Sequence, residues 1–129
     1  MITAYMAGIS SGYEGEDIEV IYSIYKDEEF VCKDSVFIDY KKPAVVGGFA
    51  LMALLKELKE YNGEEITVIV NDPALNEIVR GTSTTRNKDV LKMASMLKKK
   101  LGEFSPEIEV KDISQDKAGL AKWDEELQL

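Results

Sequence analysis

The chain has 129 residues, with 24 Asp and Glu against 16 Lys and Arg, no His and a formal net charge of −8. The absence of His excludes Ser-His-Asp and Cys-His nucleophile systems, His-ligated zinc and an imidazole base near neutral pH, while a single Cys excludes an internal disulfide and an all-Cys zinc cluster. At 45% hydrophobic content the chain can build one core over residues 1–129, and no apolar run approaches the roughly 18 residues of a membrane span, so a single cytoplasmic domain with no membrane partner is expected.

The first 40 residues predict strands. Ile2 to Ile9 is rich in apolar and aromatic residues, and the segment from Ser10 through Gly12 and Gly15 to Glu16 is a turn. Ile18, Val20, Tyr22 and Ile24 then alternate with their neighbours at period two, which marks a strand with one apolar face. After the acidic turn at Lys26-Asp27-Glu28-Glu29, alternation continues through Phe30, Cys32, Val36 and Ile38, giving three antiparallel strands in succession. Cys32 is expected to be a reduced, buried thiol. Asp34 and Asp39 are expected on the third strand at the sheet edge, and Phe30 and Phe37 are expected to cover the core.

Beyond Pro43 the period changes. Val45, Phe49, Met52, Leu55 and Leu58 recur at three- and four-residue spacings, predicting a long helix that stops at Tyr61-Asn62-Gly63. Ile66 to Val70 is a β-branched run of the kind found in a central strand covered on both faces. Asn71-Asp72-Pro73 opens a short helix ending near Gly81, with Asp72 as N-cap and Pro73 at the first helical position. The Thr82 to Thr85 link leads to a helix through Val90, Met93, Ala94, Leu97 and Leu101, terminated by Gly102. Ile108, Val110 and Ile113 predict a last strand, and Leu120, Trp123 and Leu127 a last helix in which Trp123 packs on the sheet. The element order is β-β-β-α-β-α-α-β-α, an α/β fold with a five-stranded mixed sheet and helices on both faces.

Charge is segregated along this order. From Leu75 to Gly102 the chain holds Arg80, Arg86, Lys88, Lys92, Lys98, Lys99 and Lys100 against Glu77 and Asp89, a net of +5 that leaves −13 for the rest. Lysines in the last turn of a helix also suit its dipole, so the segment reads both as a solvated helix end and as the one place where an acidic chain would meet a phosphate backbone.

Tyr5-Met6-Ala7-Gly8, Phe49-Ala50-Leu51-Met52-Ala53 and Ile69-Val70-Asn71-Asp72-Pro73, in this order and at these separations, resemble the first-strand, first-helix and fourth-strand motifs of the ribonuclease H-like superfamily, specifically of small type 1 ribonuclease H domains. The resemblance covers nearly the whole chain. It implies four carboxylates holding two divalent metals that drive hydrolysis of the RNA strand of an RNA-DNA hybrid. Of those positions Ala7 and Ala50 carry methyl groups, and Asp72 alone matches a metal-binding carboxylate; in the last helix the position falls around Leu120 to Lys122, between Asp116 and Asp124.

The resemblance with these departures leads to the expectation of a non-catalytic binding or interaction module with no cofactor, contacting an RNA-DNA hybrid or other nucleic acid through the basic segment, or a protein partner or second copy. The alternative it leaves is an active Mg- or Mn-dependent nuclease rebuilt on Asp72 with Asp116 or Asp124. Glu57, two turns after Ala50, reads as solvent-facing.

Overall fold

A computed structural model describes residues 1–11 and 13–128; the turn expected at Gly12 falls outside them. Five strands, β1 (Ile2–Ile9), β2 (Ile18–Lys26), β3 (Glu29–Ile38), β4 (Ile66–Val70) and β5 (Glu109–Asp112), form one mixed sheet in the order β3-β2-β1-β4-β5. Short turns make β1, β2 and β3 antiparallel neighbours, whereas β4 runs parallel to β1, and β5 to β4, because helical segments intervene. The helices are α1 (Pro43–Leu58), α2 (Pro73–Arg80), α3 (Lys88–Leu101) and α4 (Lys117–Leu127), with a 3₁₀ turn at Lys59–Tyr61 after α1. The α/β architecture expected from the element order, a five-stranded mixed sheet with helices on both faces, is the one observed.

The two periodicities explain the layers. One face of the sheet presents Ile2, Ala4, Met6, Val20, Tyr22, Ile24, Val68 and Val70, all buried against the apolar stripes of α1 and α3, including Leu51, Leu54, Leu55, Met93 and Leu97. The opposite face presents Tyr5, Ala7, Ile69 and Ile113 to α4, whose Trp123 and Leu127 are buried there. Trp123 Nε1 donates to the Met6 carbonyl oxygen at 3.0 Å, so the indole satisfies its polar edge while its rings fill the layer.

β3 departs from expectation in four respects. Between Ile24 and Tyr25 the β2–β3 register shifts: Ile24 pairs with Cys32 and Tyr25 with Phe30, leaving Val31 as the extra residue of a bulge. The bulge puts Phe30 on the same face as Phe37, and α4 packs mainly across β1 and β2. Phe30 and Phe37 are therefore 60% and 65% exposed rather than core. Cys32 is half-buried rather than buried, and its desolvation, followed by the nearby Asp34 carboxylate, pushes the thiol pKa up. Asp34 is exposed on the edge strand, but Asp39 lies one residue past its end. β4 is fully buried at Ile66, Val68 and Val70 and half-buried at Thr67 and Ile69, because a single helix covers the second face.

Candidate functional site

The carboxyl ends of the parallel strands β1 and β4 open onto a pocket of about 240 Å³. Its walls come from four elements: Met6, Ala7 and Gly8 of β1; Pro43, Val46 and Gly47 in the first turns of α1; Val70, Asn71 and Asp72 after β4; and Trp123 of α4. In an α/β sheet this is where ligands and catalytic groups collect, since the loops leaving parallel strands diverge there.

Local sequence explains each wall. At Gly8 the strand passes so close to α1 that an added Cβ would stand 3.0 Å from the Ala50 Cβ and 3.2 Å from Val46 Cγ1. Ala50 is fully buried beneath that contact and does not line the pocket; Val46, one turn earlier, does. Asp72 is the N-cap of α2, where its Oδ1 accepts from the Leu75 N–H at 3.0 Å and satisfies one of the helix's orphan donors. Its other oxygen, Oδ2, lies over Gly47, where an added Cβ would overlap it.

One residue that matters here escaped the sequence reading. Asp112, at the end of β5, accepts from the backbone N–H of Asp72 at 3.1 Å and from the N–H and hydroxyl of Ser114 at 3.1 and 2.7 Å. This carboxylate ties the ends of β4 and β5 together and fixes the backbone from which Asp72 projects. The signal available was Asp-Ile-Ser at the end of a strand, the pattern of an Asx-type turn.

The remaining carboxylates go elsewhere. Asp116 caps α4, accepting from the Gly119 N–H at 3.1 Å, and Asp124 is exposed on the same helix beside Trp123. Neither lines the pocket with Asp72; the side chain that α4 sends there is Trp123. Glu57 is exposed on α1. A pair of divalent cations takes six or more oxygen ligands each, drawn from several convergent carboxylates, and a pocket in which one capping Asp and the neutral amide of Asn71 stand among a methyl, two glycines, a valine and an indole does not fit that requirement. Among the described residues no cluster of three or more His, Cys, Asp or Glu side chains is placed to hold a metal.

The basic segment forms a second candidate surface. Arg80 ends α2, with its Nε on Asn76 Oδ1 at 3.1 Å; Arg86 lies in the link; the five lysines are on α3. Val90, Met93 and Leu97 bury one side of α3, so by helical spacing the exposed Lys88, Lys92 and Lys99 share the opposite, outward side. Lys98 turns toward α2, and Lys100 is half-buried. The only acidic residue on α3, Asp89, is engaged by Lys42 at 3.7 Å, and among the described residues none of the seven basic groups has a carboxylate within ion-pair distance. Among the described residues the cluster is thus not neutralised by ion pairs.

No protein-family model matches the sequence, and no curated protein matches it. Solved structures do match in fold. An LC11-RNase H1 in complex with an RNA/DNA hybrid superposes with a TM-score of 0.76 at 16% identity, covering 99% of this chain and 94% of its own. RNase H1 from the halophilic archaeon Halobacterium salinarum NRC-1 gives 0.78 at 16% identity over 98% and 91%. The N-terminal RNase H domain of a Mycobacterium tuberculosis protein, as a fusion with maltose-binding protein, gives 0.68 at 15% over 86% and 85%. The chain has a ribonuclease H-like fold.

Proposed function

We propose that this chain is a non-catalytic ribonuclease H-like module that binds nucleic acid, an RNA-DNA hybrid above all, through the outward face of α3. The observation that carries the first half is the composition of the pocket at the ends of β1 and β4, where Ala7, Gly8, Val46 and Gly47 stand around Asp72, a residue already occupied in capping α2 and packed on Gly47. Asp116 and Asp124 do not add to it, which disfavours the alternative of a rebuilt Mg- or Mn-dependent nuclease.

The second half rests on Lys88, Lys92 and Lys99, a solvent-facing row without a carboxylate partner among the described residues, on a chain that is otherwise strongly acidic. Net charge of −8 opposes approach of any polyanion at long range, so binding requires a local site where counterions condensed on the phosphates are released. The similarity in fold to a protein seen with an RNA/DNA hybrid favours that ligand over others. Three phosphate contacts predict that log K for a hybrid falls against log salt with a slope of about −3. The triple change Lys88→Glu, Lys92→Glu, Lys99→Glu should abolish that slope together with the affinity, measured by fluorescence anisotropy. Affinity that ignores both salt and the triple change would rule the proposal out.

A further inference from the structure

Away from the pocket at the strand ends, α2 and α3 diverge over the segment that precedes β5 and leave a groove of about 820 Å³. Its walls and floor are Ile78 and Val79 of α2, Leu97 and Leu101 of α3, and Phe104 and Ile108 beneath them. This surface follows from the sequence. α2 is only eight residues long, so it ends at Gly81 before it can cover the second half of α3, and Ile78, Val79 and Leu101 stay partly open. The floor is held firmly: the Asn62 side chain donates to the Glu103 carbonyl oxygen at 3.1 Å and accepts from the Ser105 N–H at 3.0 Å, clamping the residues on either side of Phe104.

Two cations, Arg80 on one wall and Lys98 on the other, stand over this apolar surface without a carboxylate partner among the described residues. Glu107 is the one acidic lining residue, and it is exposed at the border. Small-molecule sites are concave spaces of roughly 300–1,000 Å³ with mostly apolar walls and a few polar groups that fix orientation, which describes this groove. A base-paired duplex keeps its bases stacked and presents phosphates rather than an apolar body to such a groove, and the lysines that face outward are on another side of α3.

We infer that the groove binds a free amphipathic carboxylate, an aliphatic or aromatic chain ending in one anionic head. The body lies on Phe104 and Ile108 between the helices, where burying it releases water from apolar surface, and Arg80 and Lys98 take the head at the mouth. The charge of the mouth selects against a cationic amphiphile of the same length, and the apolar walls select against a short, tailless anion.

The probe is dodecanoate below its micelle-forming concentration, titrated into the full chain and followed by amide chemical shifts. Saturable shifts confined to residues 78–81 and 94–108 are expected, with acetate giving none and dodecyltrimethylammonium binding at least tenfold more weakly. Arg80→Glu with Lys98→Glu should weaken dodecanoate at least tenfold, and Ser95→Trp, a surface change that fills the mouth, should block it with the melting curve unaltered. No saturable shift, shifts centred on the exposed Phe30 and Phe37 of β3, or equal binding of the cationic amphiphile would overturn the inference. So would concentration-dependent broadening of the groove amides in the free protein, which would assign the groove to a second copy.

Discussion

Gly47 lies directly against the Asp72 carboxylate: a Cβ built on Gly47 overlaps Asp72 Oδ2. A helix interior normally favours Ala over Gly by about 1 kcal/mol, so glycine here marks a close approach rather than a helical preference. The contact couples α1 to the N-terminus of α2 and uses up one face of the only acidic side chain in the pocket.

Gly47→Ala should therefore destabilise the fold despite its better helix propensity. The methyl displaces the carboxylate from the Leu75 N–H, and overpacking of this kind costs about 1–3 kcal/mol. Urea denaturation with an unchanged m-value checks it; a stabilised Gly47→Ala would show that Asp72 is free to move.

Asp72→Ala should cost about 0.5–2 kcal/mol through loss of the cap, and Asp72→Asn less, because the amide oxygen still accepts. Millimolar Mg²⁺ or Mn²⁺ should leave the melting temperature of the unmodified protein and both variants unmoved, since a ligand bound only by the native state raises it. A metal-dependent rise lost in Asp72→Ala would reassign the pocket to metal chemistry.

Alkaline pH offers a check on the packing of both sheet faces. Burial, followed by the Glu57 and Asp34 carboxylates, pushes the Tyr22 hydroxyl up to about 12. The hydrogen bond to Glu126, followed by burial, pushes Tyr25 up to about 12 as well. An acid whose pKa is raised on folding holds its proton more tightly in the native state, so this stabilisation is complete below pH 10 and is lost as pH rises through 10 toward 12. Tyrosinate absorbance should show a fraction of the tyrosines ionising only near 12, and stability should fall across the same window. For Tyr25→Phe the fall should be shallower.

Sequence periodicity carried most of the architecture because each helix and strand buries one face. The period-two pattern of Ile18 to Ile24 and the β-branched run of Ile66 to Val70 became β2 and β4, and Asp72-Pro73 became the cap of α2. What periodicity missed is set by relations across the chain. The Val31 bulge changes which face Phe30 occupies, and the extent of α4 decides that Phe37 is left uncovered. Within the site, Ala7 and Asp72 meet in one pocket as the motifs imply, while Ala50 is buried behind Gly8 and the half-buried Val46 takes the pocket-lining position. Asp112 holds Asp72 from 40 residues away, a contact that local spacing does not encode. Likewise the basic residues, clustered in sequence, separate in space: Lys88, Lys92 and Lys99 form an outward row, while Arg80 and Lys98 border the groove beside α2.

We propose that the ribonuclease H-like fold here binds nucleic acid without cutting it. This is tested most directly by incubating a labelled RNA-DNA hybrid with the protein in Mg²⁺ and, separately, Mn²⁺, while resolving bound from free hybrid and intact from cleaved RNA. The expected result is a bound complex that disappears on reversing Lys88, Lys92 and Lys99, with RNA as intact as in the protein-free control. Metal-dependent cleavage that Asp72→Ala abolishes would contradict it.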